Sequence, residues 1–182
     1  LCYAAVGLSS FEFMLIGPGS RASSMGEAFT ALGGDAGAPY FNPASSCLTD
    51  RTEFQLMHIL YLQDFTIDQF SLTSNLSKYH YGINLQLGKI GDFARRSNSP
   101  SNEPLGYFNE HNFVASFFSA YPISTKLFIG GALKYAYEKL DLQSASAIGF
   151  DLGSIYRLSS DINLGVALRN LGTKPKFVDK SY

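Results

Sequence analysis

Alternation with a period of two constrains this chain more than any other feature. In Tyr79 to Leu87 (YHYGINLQL) every odd position is large and apolar, and every even position is polar or glycine. In Ile162 to Arg169 the even positions are apolar and the odd ones small or polar. Leu127 to Glu138 places Leu127, Ile129, Leu133, Tyr135 and Tyr137 on one face, and Gly130, Ala132, Lys134, Ala136 and Glu138 on the other. Ile148 to Arg157 divides the same way, with Ile148, Phe150, Leu152 and Tyr156 opposite Gly149, Asp151, Gly153 and Arg157. Segments near 53–63, 66–76 and 111–121 fit less cleanly. Successive side chains of a strand point to opposite faces, so the pattern specifies about seven strands.

Alternation alone suits a soluble sandwich as well as a membrane barrel. Length separates them. These segments run 8 to 12 residues, whereas a soluble strand has about 5–6 and a tilted membrane-spanning strand about 9–11. Tyr61, Tyr79, Tyr121, Tyr137 and Tyr156 lie near segment ends, where interfacial girdles form. Charged residues make up 16% of the chain, against about 25% in ordinary soluble domains. The formal net charge of -1 argues against the basic footprint of a nucleic-acid binder. No run of 18 apolar residues exists, so no helix spans a bilayer.

Short links follow the even-numbered segments: Ser77-Lys78, Pro122 to Thr125, and Leu158 to Asp161. Longer ones follow the third segment (91–108) and the fifth (EKLDLQSA); the link near Gln63-Asp64-Phe65 is the exception. Alternating short turns and long loops are the habit of outer-membrane barrels, and the parity puts the N-terminal segment on the periplasmic side. Bacterial barrels close with an even strand number, so the expectation is the N-terminal half of a larger barrel, ended at Tyr182 by truncation or by a break in the reading frame.

Before residue 50 the text changes. LCYAAVGLSS reads as the tail of a secretory signal, with a short buried strand as the alternative. Three parts follow: a signal remnant (1–12), an N-terminal hatch (13–50) and half a transmembrane β-barrel (51–182). Ser20 to Gly33 predicts a helix, with Ser20 as cap, Ala22, Met25, Phe29 and Leu32 on one face, and Gly33-Gly34 as stop. In Asn42-Pro43-Ala44, Asn is a strong N-cap and Pro is favoured at the first helical position. Tyr40 and Phe41 would anchor that short helix by packing. The same residues also suit a surface turn.

The run Gly17-Pro18-Gly19-Ser20-Arg21-Ala22, then Met25-Gly26-Glu27-Ala28-Phe29, then Asp35-Ala36 and Asn42-Pro43-Ala44, resembles the N-terminal signature of the FadL/PorV superfamily of outer-membrane barrels. Gly149 to Gly153, Leu164 to Val166 and Arg169 to Gly172 resemble its PorV-like branch. Two departures stand out: Gly26-Glu27 where the family has Gly-Gly, and Ser45-Ser46 where it has Gly-Leu. The resemblance implies a barrel of about 14 strands, about seven of them here, plugged by the hatch. It places Gly17, Gly19, Arg21, Met25, Gly26, Ala28, Phe29, Asp35, Asn42, Pro43 and Ala44 in the plug, with Met25 and Phe29 near a ligand. Arg21 and Asp35 are expected to make ion pairs or hydrogen bonds within the plug or to the barrel wall, since charges away from water need partners. The implied function is passive uptake of a hydrophobic small molecule, such as a long-chain fatty acid, across a bacterial outer membrane, whose lipid surrounds the barrel. The alternative is a secretion or assembly component that binds a protein partner. A third reading is a non-functional fragment with unpaired strand edges.

Other chemistry is sparse. His58, His80 and His111 lie on separate segments, with no spacing for a metal. No phosphate loop or nucleophile elbow is present. The expectation is therefore no enzyme, no cofactor and no metal. Cys47 reads as a small apolar residue rather than a disulfide partner of Cys2. Arg95-Arg96 reads as a solvated loop tip, and Lys134, Glu138, Asp151 and Arg157 as groups hydrating the lumen.

Overall fold

The computed structural model describes residues 11–61, 65–96, 103–141, 143–173 and 178–179. The chain is all-β. Seven antiparallel strands follow one another as a meander: β1 (Glu53–Leu60), β2 (Thr66–Leu76), β3 (Tyr79–Arg95), β4 (Gly106–Pro122), β5 (Leu127–Leu140), β6 (Gln143–Arg157) and β7 (Asn163–Gly172). β1 and β7 stand at opposite ends of the sheet, and a short β8 (Val178–Asp179) pairs with the start of β6. Among the described residues no helix is long and apolar enough to cross a membrane.

The strands are 8 to 17 residues long. β3 and β4 outrun the alternating segments, so the connection expected at 91–108 shrinks to 96–105. β5 and β6 also extend toward each other, leaving a two-residue link at 141–142. The alternation of short and long links therefore fails after β5. Asp141 takes a left-handed φ of 53° there, and Arg95 pairs with it. Arg95 is thus the last residue of a strand, half-exposed and held by an ion pair, rather than part of a loop tip.

The two faces of the sheet differ in kind. One is covered by residues 11–50 and carries small and polar side chains: Gln69, Ser71 and Thr73 on β2, Asn84 and Gln86 on β3, Ser116 on β4, Ala132 and Lys134 on β5, Asp151 on β6. The other is bare and apolar. Leu133 is 60% exposed while its neighbour Lys134 is 2% exposed. Phe54, Leu56, Leu87, Phe117, Ile148, Leu152, Leu164, Val166 and Leu168 continue the bare face across the sheet. A soluble domain buries its large apolar side chains against another layer. This sheet turns most of them outward and keeps Ile67, Val114, Phe118, Phe128 and Ile155 on the covered face.

The N-terminal segment departs from the expected helix. Its α-helix, α1, covers only Ser20–Ser24, with Gly19 rather than Ser20 at the cap. Gly26 and Glu27 both adopt left-handed φ angles, 62° and 61°, which end any right-handed helix. A 3₁₀ helix at Glu12–Leu15 packs Phe13 and Met14 against Val114, Ala136 and Ala145 of the sheet. Residues 1–10, including Cys2 and most of the expected signal remnant, lie outside the described residues, as do 62–64 and 97–102.

Candidate functional site

Asn42 begins the junction between the N-terminal segment and the sheet. Its backbone is extended, and its side-chain Oδ1 accepts a hydrogen bond from Ala44 N at 3.0 Å, so Asn42 caps the 3₁₀ helix Pro43–Leu48. The capped-helix reading holds; the element is a 3₁₀ helix and is buried rather than a surface turn. The Asn42 Nδ2 group donates to Thr30 O (2.8 Å) and Ser154 O (3.1 Å), with Val166 O at 3.4 Å. One fully buried amide thus ties together the cap, an earlier turn of the segment, and β6.

Three glycines admit this turn. Gly130 on β5 pairs with Gly153 on β6, and Gly165 on β7 pairs with Ile155 two positions along β6. A Cβ on Gly130 would lie 2.6 Å from Ala44 N and from Pro43 C. One on Gly153 would collide with Asn42 Oδ1, and one on Gly165 would lie 2.5 Å from Thr30 O. Ala44, Cys47 and Leu48 then pack on Ala120, Phe128 and Ile155. Burial, with a smaller contribution from Asp50, pushes the Cys47 thiol up to about 12.

Beside this junction lies a buried charge cluster. Lys134 and Asp151 form an ion pair at 2.6 Å, both almost fully buried. Lys134 Nζ also donates to Asn170 Oδ1 (2.9 Å), and Asn170 N donates to Asp151 Oδ1 (2.7 Å). Asn170 has a left-handed φ of 57° at a bulge between β6 and β7, and asparagine is enriched in that conformation. The bulge keeps outward apolar residues in phase: Leu168 faces Leu152 and Leu171 faces Phe150. Tyr40 sits under both cations, with Lys134 5.1 Å and Arg169 4.8 Å from its ring centre. Its hydroxyl donates to Met14 O. Burial holds the phenol above its usual range, although Arg169 pulls it down. Lys134 and Asp151 are therefore locked in a buried network of ion pair and hydrogen bonds. Glu138 is likewise engaged, accepting Phe11 N at 2.9 Å, and Arg157 stacks 5.1 Å from the Phe128 ring centre.

A cavity of about 270 Å³ opens between Phe11, Met14 and Leu15 of the segment and Ala136, Ala147 and Gly149 of the sheet. Lys134, Asn170 and Thr173 supply its polar lining. Its size lies near the lower end of small-molecule sites, about 300 Å³. A second, open groove of about 640 Å³ runs between Gly19, Arg21 and Asp35 and the β1 edge.

The residues singled out in the sequence fall into separate places. Asn42, Pro43 and Ala44 form the junction. Phe29 is fully buried in the segment's own core, 5.5 Å from the Phe41 ring, with Arg21 5.0 Å from its ring centre. Arg21 pairs with Asp35 at 3.3 Å and donates to Gly33 O at 2.9 Å, on a half-exposed surface. Gly17 N is bonded by Glu27 Oε1 (2.9 Å), and a Cβ on Gly17 would clash with the Phe41 ring. Gly19, at φ 99°, lies beside Gln55. Met25 is exposed, and neither it nor Phe29 lines the 270 Å³ cavity. Tyr40, Lys134, Asp151, Arg169 and Asn170 were not recognised as a cluster. Their signal was a lysine and an aspartate on the same face of adjacent strands. Among the described residues, no three potential metal-binding side chains come together.

The model of the Uncharacterised protein family (UPF0164) matches residues 4–175, so the chain belongs to that family. No curated protein and no solved structure matches the chain.

Proposed function

We propose that this member of UPF0164 is part of an outer-membrane β-barrel that takes up a hydrophobic small molecule of the long-chain fatty acid class, with residues 13–50 as its plug. One observation carries the reading: the sheet turns most of its large apolar side chains away from the layer that covers it. Contiguous bare apolar surface on this scale marks a protein partner or a membrane. Strands of 10 to 17 residues across β2–β7 are long enough to span a tilted path through a bilayer. The polar inner face accords with an interior that is plugged rather than lipid-filled. The motif resemblance over residues 17–44 supports the same architecture.

For the ligand, the cavity under Phe11 and Met14 offers an apolar lining with a lysine and an asparagine on one side. That pattern suits a molecule with a hydrocarbon body and a single polar end. Lys134 already neutralises Asp151, so the polar end would meet a donor-rich but charge-balanced wall.

The test is saturable binding of a fluorescent long-chain fatty acid to the folded protein in detergent, compared with Ala147→Trp. The indole would fill the cavity without touching the Asn42 junction. Binding that is lost in Ala147→Trp, with the melting profile kept, supports uptake through this cavity. A folded protein that binds no fatty acid shifts the reading to a secretion component whose bare surfaces meet protein.

A further inference from the structure

The covered face of β2–β4 is furnished differently from the junction on β5–β7. Its inward side chains form two cross-strand rows. Gln69 lies opposite Gln86, which lies opposite Val114; Ser71 lies opposite Asn84, which lies opposite Ser116. The two glutamine amides have fixed orientations. Gln69 Nε2 donates to Ile16 O at 3.2 Å, and Gln86 Nε2 donates to Phe13 O at 3.0 Å and Ile16 O at 3.2 Å. Their oxygens must therefore point the other way, and neither has a protein donor. Asn84 is 6% exposed, and neither its Oδ1 nor its Nδ2 has a protein partner.

The segment above cannot supply those partners. Pro18 has no N–H, and Tyr40 gives its hydroxyl proton to Met14 O. Pro18 and Tyr40 instead roof a cavity of about 10 Å³ lined by Gln69, Asn84 and Gln86. A buried amide without partners carries its full desolvation penalty, and buried polar groups in native proteins are nearly always satisfied by protein or by ordered water.

We propose that this cavity is a bound-water site, which makes the contact between the N-terminal segment and β2–β4 a wet seam. Size selects the ligand, because a cavity of about 10 Å³ only just admits a single water. Chemistry selects it too. Three amide oxygens and one donor, Asn84 Nδ2, lack protein partners there, and Ser71 and Ser116 complete the polar lining. A cation is repelled by that donor, and an anion by the three oxygens. A single water donates to the two glutamine oxygens and accepts from Nδ2. The segment is thus held to β6 by the direct bonds of Asn42, and to β2–β4 partly through solvent. This inference stands apart from the uptake reading, since it rests on the amide geometry alone.

The experiment is a crystal structure of the full chain at a resolution that shows ordered solvent, paired with the thermal midpoint of Asn84→Leu. The expected result is a density peak within hydrogen-bond distance of Asn84. The leucine expels the water and strands both glutamine oxygens, lowering the midpoint by about 2–4 °C. An empty cavity, or a midpoint raised because an unpartnered amide has been relieved, overturns the proposal. If Asn84→Leu fails to fold, the wild-type density decides alone.

Discussion

Gly130 and Gly131 are sequence neighbours on β5 with opposite surroundings, and alanine at each measures how firmly the Asn-Pro-Ala turn is seated. At Gly130 the new methyl would meet Ala44 N and Pro43 C at 2.6 Å. Those are backbone atoms, held by the Asn42 cap and the packing of Ala44, so they cannot swing aside. At Gly131 the nearest atom is Asp151 O at 3.6 Å, an ordinary contact. Overpacking a close-fitting site costs about 1–3 kcal/mol. Replacing glycine by alanine where space allows stabilises by ~0.4–1 kcal/mol through the unfolded chain. Gly130→Ala should then lose about 2 kcal/mol and Gly131→Ala gain somewhat less than 1. At about 2–4 °C per kcal/mol for a chain of this size, the midpoints should separate by roughly 6–12 °C. Far-ultraviolet circular dichroism of the refolded protein in detergent reads this directly. Equal shifts for the two alanines would refute the seating argument, because the only difference between them is which face the methyl enters.

Six further outcomes follow from the junction and the charge cluster beside it. Asn42→Ala removes the cap and strands the carbonyls of Thr30 and Ser154; the loss should be about 2–4 kcal/mol by urea unfolding. Asn42→Asp should fare no better, since it keeps the cap acceptor but donates nothing. Lys134→Met leaves Asp151 buried without its cation and should cost about 3–5 kcal/mol; Lys134→Met with Asp151→Asn should recover more than half, as the amide oxygen still accepts Asn170 N. In the unfolded chain the Cys47 thiol ionises near ~8.5, but in the fold only near about 12. Its contribution to stability is therefore complete below the first value and declines as pH rises toward the second. Cys47→Ala should flatten that decline in a pH series of melts, and the wild-type thiol should resist alkylation at pH ~8 until the protein is unfolded.

The strands were legible because alternation is a local signal. Tyr79 to Leu87 and Leu127 to Glu138 put the same residues on the same faces in the fold as in the text. Their ends were less legible. β3 runs on to Arg95 and β5 to Leu140, where cross-strand bonds to β4 and β6 override the weaker pattern of the sequence. The Asn42 cap was readable from Asn-Pro-Ala, since the capping bond spans two residues. The helix expected from Ser20 to Gly33 was not, because its periodicity is genuine but Gly26 and Glu27 turn left-handed. There Glu27 gains a bond to Gly17 N, a contact ten residues away that no local reading supplies. The charge cluster was missed for the same reason: Lys134, Asp151 and Asn170 meet only through strand register.

The central claim, that the bare apolar face lies against lipid and the covered face against the plug, is tested most directly by fluorescence quenching in vesicles. Single cysteines at Phe117, Leu133 and Leu152, and at their neighbours Ser116, Ala132 and Asp151, would be introduced one at a time into a chain with Cys2 and Cys47 replaced. Each would be labelled with an environment-sensitive dye and reconstituted with lipids brominated along the acyl chain. The account predicts strong quenching at 117, 133 and 152 and little at 116, 132 and 151, an alternation with the period of a strand. Uniformly weak quenching at all six positions in a folded protein would contradict it.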